Sequence, residues 1–383
     1  MITLTVEDKK YFSDIWEKID SKMQEVSVRS YDKIPYTAIN GVHDSRDDIE
    51  WWTNGFWPGI MWIMYAQTKN DNYMKTAINA ENKLRDVFTL KTDCMNHDCG
   101  FMWDISSGVH YRLTKDEQAK RDTLLASYFL MGRFNVLGGY IRAWDNWEGF
   151  WEDHTGWTII DCMMNLPLLY RASEITGDDR FKNVAKIHAD KTMKNHIRED
   201  GSVRHIVEQN PLNGEYVNDF GGQGYEKGSS WSRGQAWALY GFVLSYIHTK
   251  ENKYLDTAKK VANYFLDCIS EEKDFLPLCD FRSPEEPVIY DSTAGACAAC
   301  GFIEIANCVE GVEKELYLNA AIKILKAMTE KFVDFSNDTD ALLNYGTESY
   351  SKGRHIPIIY GDYFYIEAVY KLINEKKNDM LMW

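Results

Sequence analysis

TGDDRFKNVAKIHADKTMKNHI, residues 176–197, carries the pattern that decides the fold. A short polar turn, Thr176-Gly177-Asp178-Asp179, leads into an amphipathic run in which Phe181 is followed four residues later by Ala185. The aromatic–alanine pair recurs as Tyr73/Ala77, Tyr254/Ala258 and Tyr317/Ala321, so the four marks stand 108, 73 and 63 residues apart. The first gap has room for one unmarked unit, which leaves a period of roughly 55–75 residues. Each marked helix follows a less polar one across a short turn, of which Thr249-Lys250-Glu251-Asn252 is a second example. The repeating unit is therefore an αα-hairpin with one buried and one solvent-facing helix. At about 64 residues per hairpin the chain holds about six. Six hairpins can close into a ring, and the expected fold is all-α, an (α/α)6 barrel forming a single domain over 1–383. An open helical solenoid is the alternative.

The rest of the chain agrees with a helical reading. Apolar residues recur with helical spacing over 71–90, 117–134, 161–176, 178–197, 231–248, 253–269, 294–309, 314–332 and 362–373. Strand-like alternation is confined to 201–207 and 288–290. In 383 residues, 45% apolar and 14% aromatic side chains are ample for a large core and too many for a disordered chain. The 43 basic and 58 acidic side chains leave a net charge of −15, the wrong sign for a nucleic-acid partner. No apolar run reaches the roughly 18–20 residues of a membrane helix. Glu7, Asp8, Lys9 and Lys10 stand where a signal peptide would have its apolar stretch, so a cytoplasmic location is expected.

Eight cysteines in a chain this long are not a disulfide scaffold. Cys297-Ala298-Ala299-Cys300 lacks a second pair and reads as a packed helix face. Cys94, His97 and Cys99 lack a fourth ligand, so neither a metal nor a cofactor is expected.

The starts of the less polar helices combine tryptophan, glycine and isolated polar groups. Trp51-Trp52-Thr53-Asn54-Gly55-Phe56-Trp57 precedes one, Trp144, Trp147, Trp151 and Trp157 crowd another, and Trp231-Ser232-Arg233-Gly234-Gln235-Ala236-Trp237 opens a third. Flat aromatic faces beside hydrogen-bonding groups suit sugar rings. Two aspartates stand out among them. Asp98 lies in a turn-like sequence, and Asp161 precedes an apolar run that would desolvate its carboxyl and raise its pKa. A carboxyl pair is the usual equipment of glycoside chemistry. Each aspartate also has a plainer reading, Asp161 as a helix N-cap and Asp98 as a turn carboxylate. Phe220-Gly221-Gly222-Gln223-Gly224 reads as a mobile loop with no strand before it, not as a phosphate cradle.

Three motifs resemble the unsaturated glucuronyl hydrolases, glycoside hydrolase family 88. They are His97-Asp98-Cys99-Gly100-Phe101, Asp161-Cys162-Met163-Met164-Asn165-Leu166-Pro167-Leu168-Leu169-Tyr170, and Trp231-Ser232-Arg233-Gly234-Gln235-Ala236-Trp237-Ala238-Leu239-Tyr240-Gly241. The resemblance spans roughly Asn54 to Lys371 and implies an (α/α)6 barrel. It also implies release of a 4,5-unsaturated uronic acid from the non-reducing end of unsaturated glycosaminoglycan disaccharides and short oligosaccharides, by hydration of the C4=C5 bond. By the same match Asp161 is the general acid/base and Asp98 the second essential aspartate. His97, His205, Gln223, Arg233, Trp237, Trp57 and Trp147 would bind the sugar. Lys352, in the loop with Arg354 and His355, would offset the acidic field and hold sulfate. Unsaturated rhamnogalacturonyl hydrolase and a non-catalytic sugar-binding protein are the alternatives.

Overall fold

The computed structural model describes residues 4–146, 153–374 and 382–383. Its helices in chain order are α1 (Val6–Arg29), α2 (Phe56–Thr68), α3 (Asp71–Arg85), α4 (Val87–Leu90), α5 (Cys99–Trp103), α6 (Val109–Thr114), α7 (Glu117–Gly132), α8 (Leu166–Thr176), α9 (Asp179–Asn195), α10 (Ser232–Thr249), α11 (Asn252–Glu271), α12 (Ser292–Cys308), α13 (Gly311–Lys331) and α14 (Ile359–Ile373). A π-helical turn, Asp104–Gly108, joins α5 to α6 into one inner element. The inner ring runs α2, α5–α6, α8, α10, α12, α14, and closes where α14 packs against α2. Helices α1, α3, α7, α9, α11 and α13 form the outer layer. The result is the (α/α)6 barrel expected from the repeat. No helix among the described residues is long and apolar enough to cross a membrane.

A second, more regular repeat sits in the turns from inner to outer helix. Thr68-Lys69-Asn70, Thr114-Lys115-Asp116, Thr176-Gly177-Asp178 and Thr249-Lys250-Glu251 share one hydrogen-bond pattern. In each, the threonine hydroxyl donates to the carbonyl four residues back and accepts the N–H two residues on. The middle residue adopts the left-handed conformation, with φ of 58°, 61°, 70° and 59°. Thus one helix ends and the next begins within two residues, which forces the pair antiparallel. Thr114-Lys115-Asp116 belongs to the hairpin that the aromatic–alanine pair leaves unmarked.

That pair is buried in all four helices. Three of its aromatics also tie neighbouring outer helices together. Tyr73 donates to Asp20 on α1 (2.7 Å), Tyr254 to Asp190 on α9 (2.9 Å) and Tyr317 to Asn263 on α11 (2.9 Å). All eight cysteines are free thiols. Cys297 and Cys300 are buried on α12, where Gly301 lets the helix approach α10 closely; a Cβ there would lie 2.2 Å from Leu239.

Strands are short. Pairs β1 (Ala38–Ile39) with β2 (Val42–His43), and β3 (Phe134–Asn135) with β4 (Tyr140–Ile141), are minor hairpins. A three-stranded antiparallel sheet, β5 (Trp157–Ile159), β6 (Ile206–Gln209) and β7 (Tyr216–Phe220), stands before the inner helices α8 and α10. The expected strand at 201–207 is displaced to β6, and 288–290 forms only an isolated bridge, Leu278 to Tyr290. A strand does precede the glycine-rich 220–224 segment, contrary to expectation.

Candidate active site

Two chain segments meet at the mouth of the ring. Asp98 immediately precedes α5, and Asp161 lies in the 3₁₀ turn Ile160–Met164 that leads into α8. Asn165 joins them. Its side-chain oxygen accepts the Phe101 N–H (2.8 Å), while its amide nitrogen donates to the Asp161 carbonyl (3.1 Å) and reaches Asp98 Oδ1 at 3.5 Å. Gly100 permits the approach, since a Cβ there would stand 2.5 Å from Asn165 Cα. Neither aspartate side chain caps its helix. Asp161 Oδ1 is buried with no hydrogen-bond partner among the described residues, so the N-cap reading of this residue does not hold.

Burial governs both carboxyls. The Asp161 side chain is 14% exposed. Desolvation pushes its pKa up to about 7, against the opposing pull of Arg233 and a backbone hydrogen bond. Burial also holds Asp98 well above the usual carboxylate range. The charge of Asp161 adds to that shift, while Asn165 and Arg133 oppose it. A carboxyl that keeps its proton near neutral pH is an acid able to donate it.

A histidine attends each aspartate. His97 Nε2 lies 3.6 Å from Asp98 Oδ1, and His205 Nε2 lies 3.8 Å from Asp161 Oδ1. Burial lowers both histidine pKa values, to about 3 for His205, so both rings are neutral. Gln223 N–H donates to His205 Nδ1 (3.0 Å). The Gly221 carbonyl lies 3.2 Å from the same nitrogen, so Nδ1 meets both a donor and an acceptor, while Nε2 faces Asp161. The sheet fixes the pair: Ile159 opposes Ile206, and the Ile160 N–H donates to the His205 carbonyl (3.0 Å). The glycine-rich segment is no free loop. Gly222, at φ +58°, folds against His205, where a Cβ would fall 2.1 Å from Nδ1.

Arg233 is buried and largely committed within the protein. Its Nη1 donates to Asp291 (2.9 Å), Thr293 (3.1 Å) and the Thr347 carbonyl (2.6 Å), and Nη2 donates to the Glu348 carbonyl (2.7 Å). Its guanidinium also lies over the rings of Trp231 and Tyr360. Gln223 Nε2 donates to the same Glu348 carbonyl (2.6 Å), and Tyr36 donates to the Glu348 carboxylate (2.6 Å). Arg233 and Gln223 therefore hold the 347–350 segment in place. Lys352 is exposed on the turn that follows, where its N–H donates to the Ser349 carbonyl (3.2 Å). His355 accepts the Tyr290 N–H there (3.0 Å), as a neutral ring does.

Trp57 and Trp237 are fully buried, yet among the described residues their indole N–H groups have no partner, and the same holds for the Trp231 indole N–H. Orphaned buried donors of this kind are rare in folded proteins. Trp147 lies outside the described residues. Sequence reasoning passes over Asn165, Tyr36, Glu348 and Asp291 as site residues. For Asn165 a signal exists: it is the one amide in the apolar run 162–170.

Residues 22–383 match the model of Glycosyl Hydrolase Family 88. The chain is 33% identical over 348 residues to the unsaturated glucuronyl hydrolase of Bacillus sp. (strain GL1), covering 89% of this chain and 91% of that one. It is 33% identical to the unsaturated chondroitin disaccharide hydrolase of Streptococcus agalactiae serotype III (strain NEM316), covering 90% and 86%. The crystal structure of the unsaturated glucuronyl hydrolase from Streptococcus agalactiae superposes with a TM-score of 0.88 at 29% identity, covering 100% and 95%. An aspartate-to-asparagine mutant of that enzyme, complexed with dGlcA-GalNAc6S, gives a TM-score of 0.79 at 27% identity, covering 96% and 93%.

Proposed function

The chain belongs to glycosyl hydrolase family 88, and from that membership we propose that residues 1–383 form one catalytic domain that hydrolyses unsaturated glycosaminoglycan disaccharides. It releases the 4,5-unsaturated uronic acid at their non-reducing end. The observation that carries the reading is a partly exposed carboxyl of Asp161 whose pKa is raised to about 7 beside a second buried aspartate.

The Asp161 carboxyl donates its proton to C4 of the enol ether, and the electron deficit at C5 is shared with the ring oxygen. Water adds at C5 and returns a proton to the Asp161 carboxylate, which restores the acid. The product is a hemiketal. Its C5–O5 bond opens to a ketone, O5 becomes a hydroxyl on C1, and the C1 hemiacetal expels the remaining sugar as an alcohol. One water is consumed and one glycosidic bond is broken. Asp98, itself protonated, donates to a ring hydroxyl and adds no second negative charge beside the acid. His205, a neutral ring, orients the Asp161 carboxyl and the incoming water. Trp57, Trp237 and His97 line the sugar site, while Gln223 and Arg233 position the 347–350 segment.

The eight free thiols fit a cytoplasmic enzyme that receives lyase products inside the cell. Lys352 is an exposed cation available to a sulfate. Lys352→Ala should slow turnover of sulfated chondroitin disaccharides selectively; equal slowing on unsulfated ones would remove that role. The function itself is tested with a panel of lyase-generated disaccharides, following loss of the alkene's ultraviolet absorbance. Consumption of chondroitin or hyaluronan products is expected. Consumption of unsaturated rhamnogalacturonan products alone would move the chain to the rival specificity, and consumption of none would leave only sugar binding.

A further inference from the structure

Trp383 is separated from α14 in sequence, yet its indole is buried inside the ring. It touches three alternate inner elements: Phe101 on α5 (6.1 Å between ring centroids), Tyr240 on α10 (6.1 Å), and Phe364 and Tyr363 on α14 (6.1 and 6.2 Å). Contact with the second, fourth and sixth members of a six-membered ring places the indole near the axis. It lies parallel to Phe364, with 3° between the planes. Its Nε1 donates to Glu367 (3.2 Å), which also accepts from Tyr240 and pairs with Lys371, itself paired with Glu304. Arg112 Nη1 reaches the Trp383 carbonyl at 3.5 Å.

Phe101 connects this plug to the site. Its backbone N–H is held by the amide of Asn165 that also reaches Asp98 and the Asp161 carbonyl. Its ring packs on Trp237 (5.1 Å). We propose that Trp383 is a positioning residue for the Asp98–Asp161 pair: it fills the barrel axis behind Phe101, fixes the Asn165 bridge, and keeps water from the inner side of the two carboxyls. The proposal rests on the reading of Asp161 as the acid. Because packing side chains are nearly rigid, an emptied axis would let Phe101 move and water enter.

Less desolvation would bring the Asp161 pKa down. The groups that face Asp161 are Asp98, His205, Arg233 on α10 and Tyr360 on α14, with His97 behind Asp98. None of them is removed by a change at Trp383. The test compares Trp383→Ala and Trp383→Leu with Trp383→Phe, which keeps a ring but loses the donor to Glu367. In the Ala variant kcat on unsaturated chondroitin disaccharide should fall roughly tenfold or more with KM within about twofold, as misplacement near the chemistry does. The alkaline limb of kcat should move to lower pH. The Leu variant should shift in the same direction by less, and Phe should restore most of the rate. An infrared titration of the Asp161 carboxyl, assigned by difference from Asp161→Asn, should show the same downward shift without any turnover. Variants that lose thermal stability but keep wild-type kcat, alkaline limb and infrared titration would overturn the proposal. Failure of the wild type to consume any unsaturated disaccharide would instead strike at the enzymatic reading, and the infrared comparison would still decide the role of Trp383.

Discussion

The role proposed for Asp161 comes at a cost to folding. Its carboxyl has a folded pKa of about 7 against an ordinary value of 3.8, because burial penalises the charged form. As the proposed acid it must be protonated to act, so kcat should be high below about pH 7 and fall as pH rises through it. The stability consequence has the same sign. Below pH 3.8 both folded and unfolded chains hold the proton; between 3.8 and about 7 only the folded chain does, so stability declines as pH rises and levels off above. A tenfold difference in proton affinity between the folded and unfolded chains is worth about 1.4 kcal/mol, so the ceiling is on the order of 4 kcal/mol. Asp161→Asn should therefore be more stable than wild type near pH 8 by chemical denaturation, with the advantage shrinking toward pH 4. Its kcat should drop roughly 10²- to 10⁴-fold, the usual worth of a general acid.

The turns and the glycine contacts make their own predictions. Gly222→Ala would need a Cβ 2.1 Å from His205 Nδ1 at a positive φ. It should reduce kcat/KM roughly tenfold or more, since small misplacements near the chemistry are costly, and it should lower the melting temperature. Lys69, Lys115 and Lys250 occupy left-handed positions where a Cβ is unfavourable. Lys250→Gly, at the end of α10, should stabilise by about 1 kcal/mol without touching turnover.

These elements also show what the sequence makes legible. Amphipathic helices over 178–197 and 253–269 can be read because their period is long and their apolar faces are one-sided. The inner α5–α6 element escapes such a reading because it is buried from Cys99 to His110 and broken by a π-turn, so no polar face marks its period there. Strands β5 and β7 escape it because three to five residues cannot establish an alternation, and β5 is buried throughout. Asp98 and Asp161 stand out by their motifs, and the structure brings them together at Asn165. The arrangement of Arg233 is not, since its partners Asp291, Thr347 and Glu348 are 58 to 115 residues away in sequence. The Thr–Lys/Gly–acid/amide turn is a local signal that occurs four times and marks the hairpin which the aromatic pair leaves out.

Across the whole molecule, outer-helix tyrosines and threonine turns convert a loose repeat into a closed ring. Tyr254→Phe removes the donor to Asp190 and should cost about 1 kcal/mol, the net worth of one hydrogen bond, with kcat unchanged. The charge of −15 acts at the same scale. An anionic disaccharide approaches against that field, so kcat/KM should rise with added salt as the repulsion is screened. A steady fall would mean that local cations such as Lys352 dominate the encounter. The most direct test of the account is the rate of alkene-absorbance loss from an unsaturated chondroitin disaccharide, measured across pH for wild type and Asp161→Asn. The account predicts a wild-type rate that falls above about pH 7, and an Asn variant that binds the disaccharide but leaves its double bond intact. A folded Asn variant that removes the double bond at the wild-type rate would contradict it.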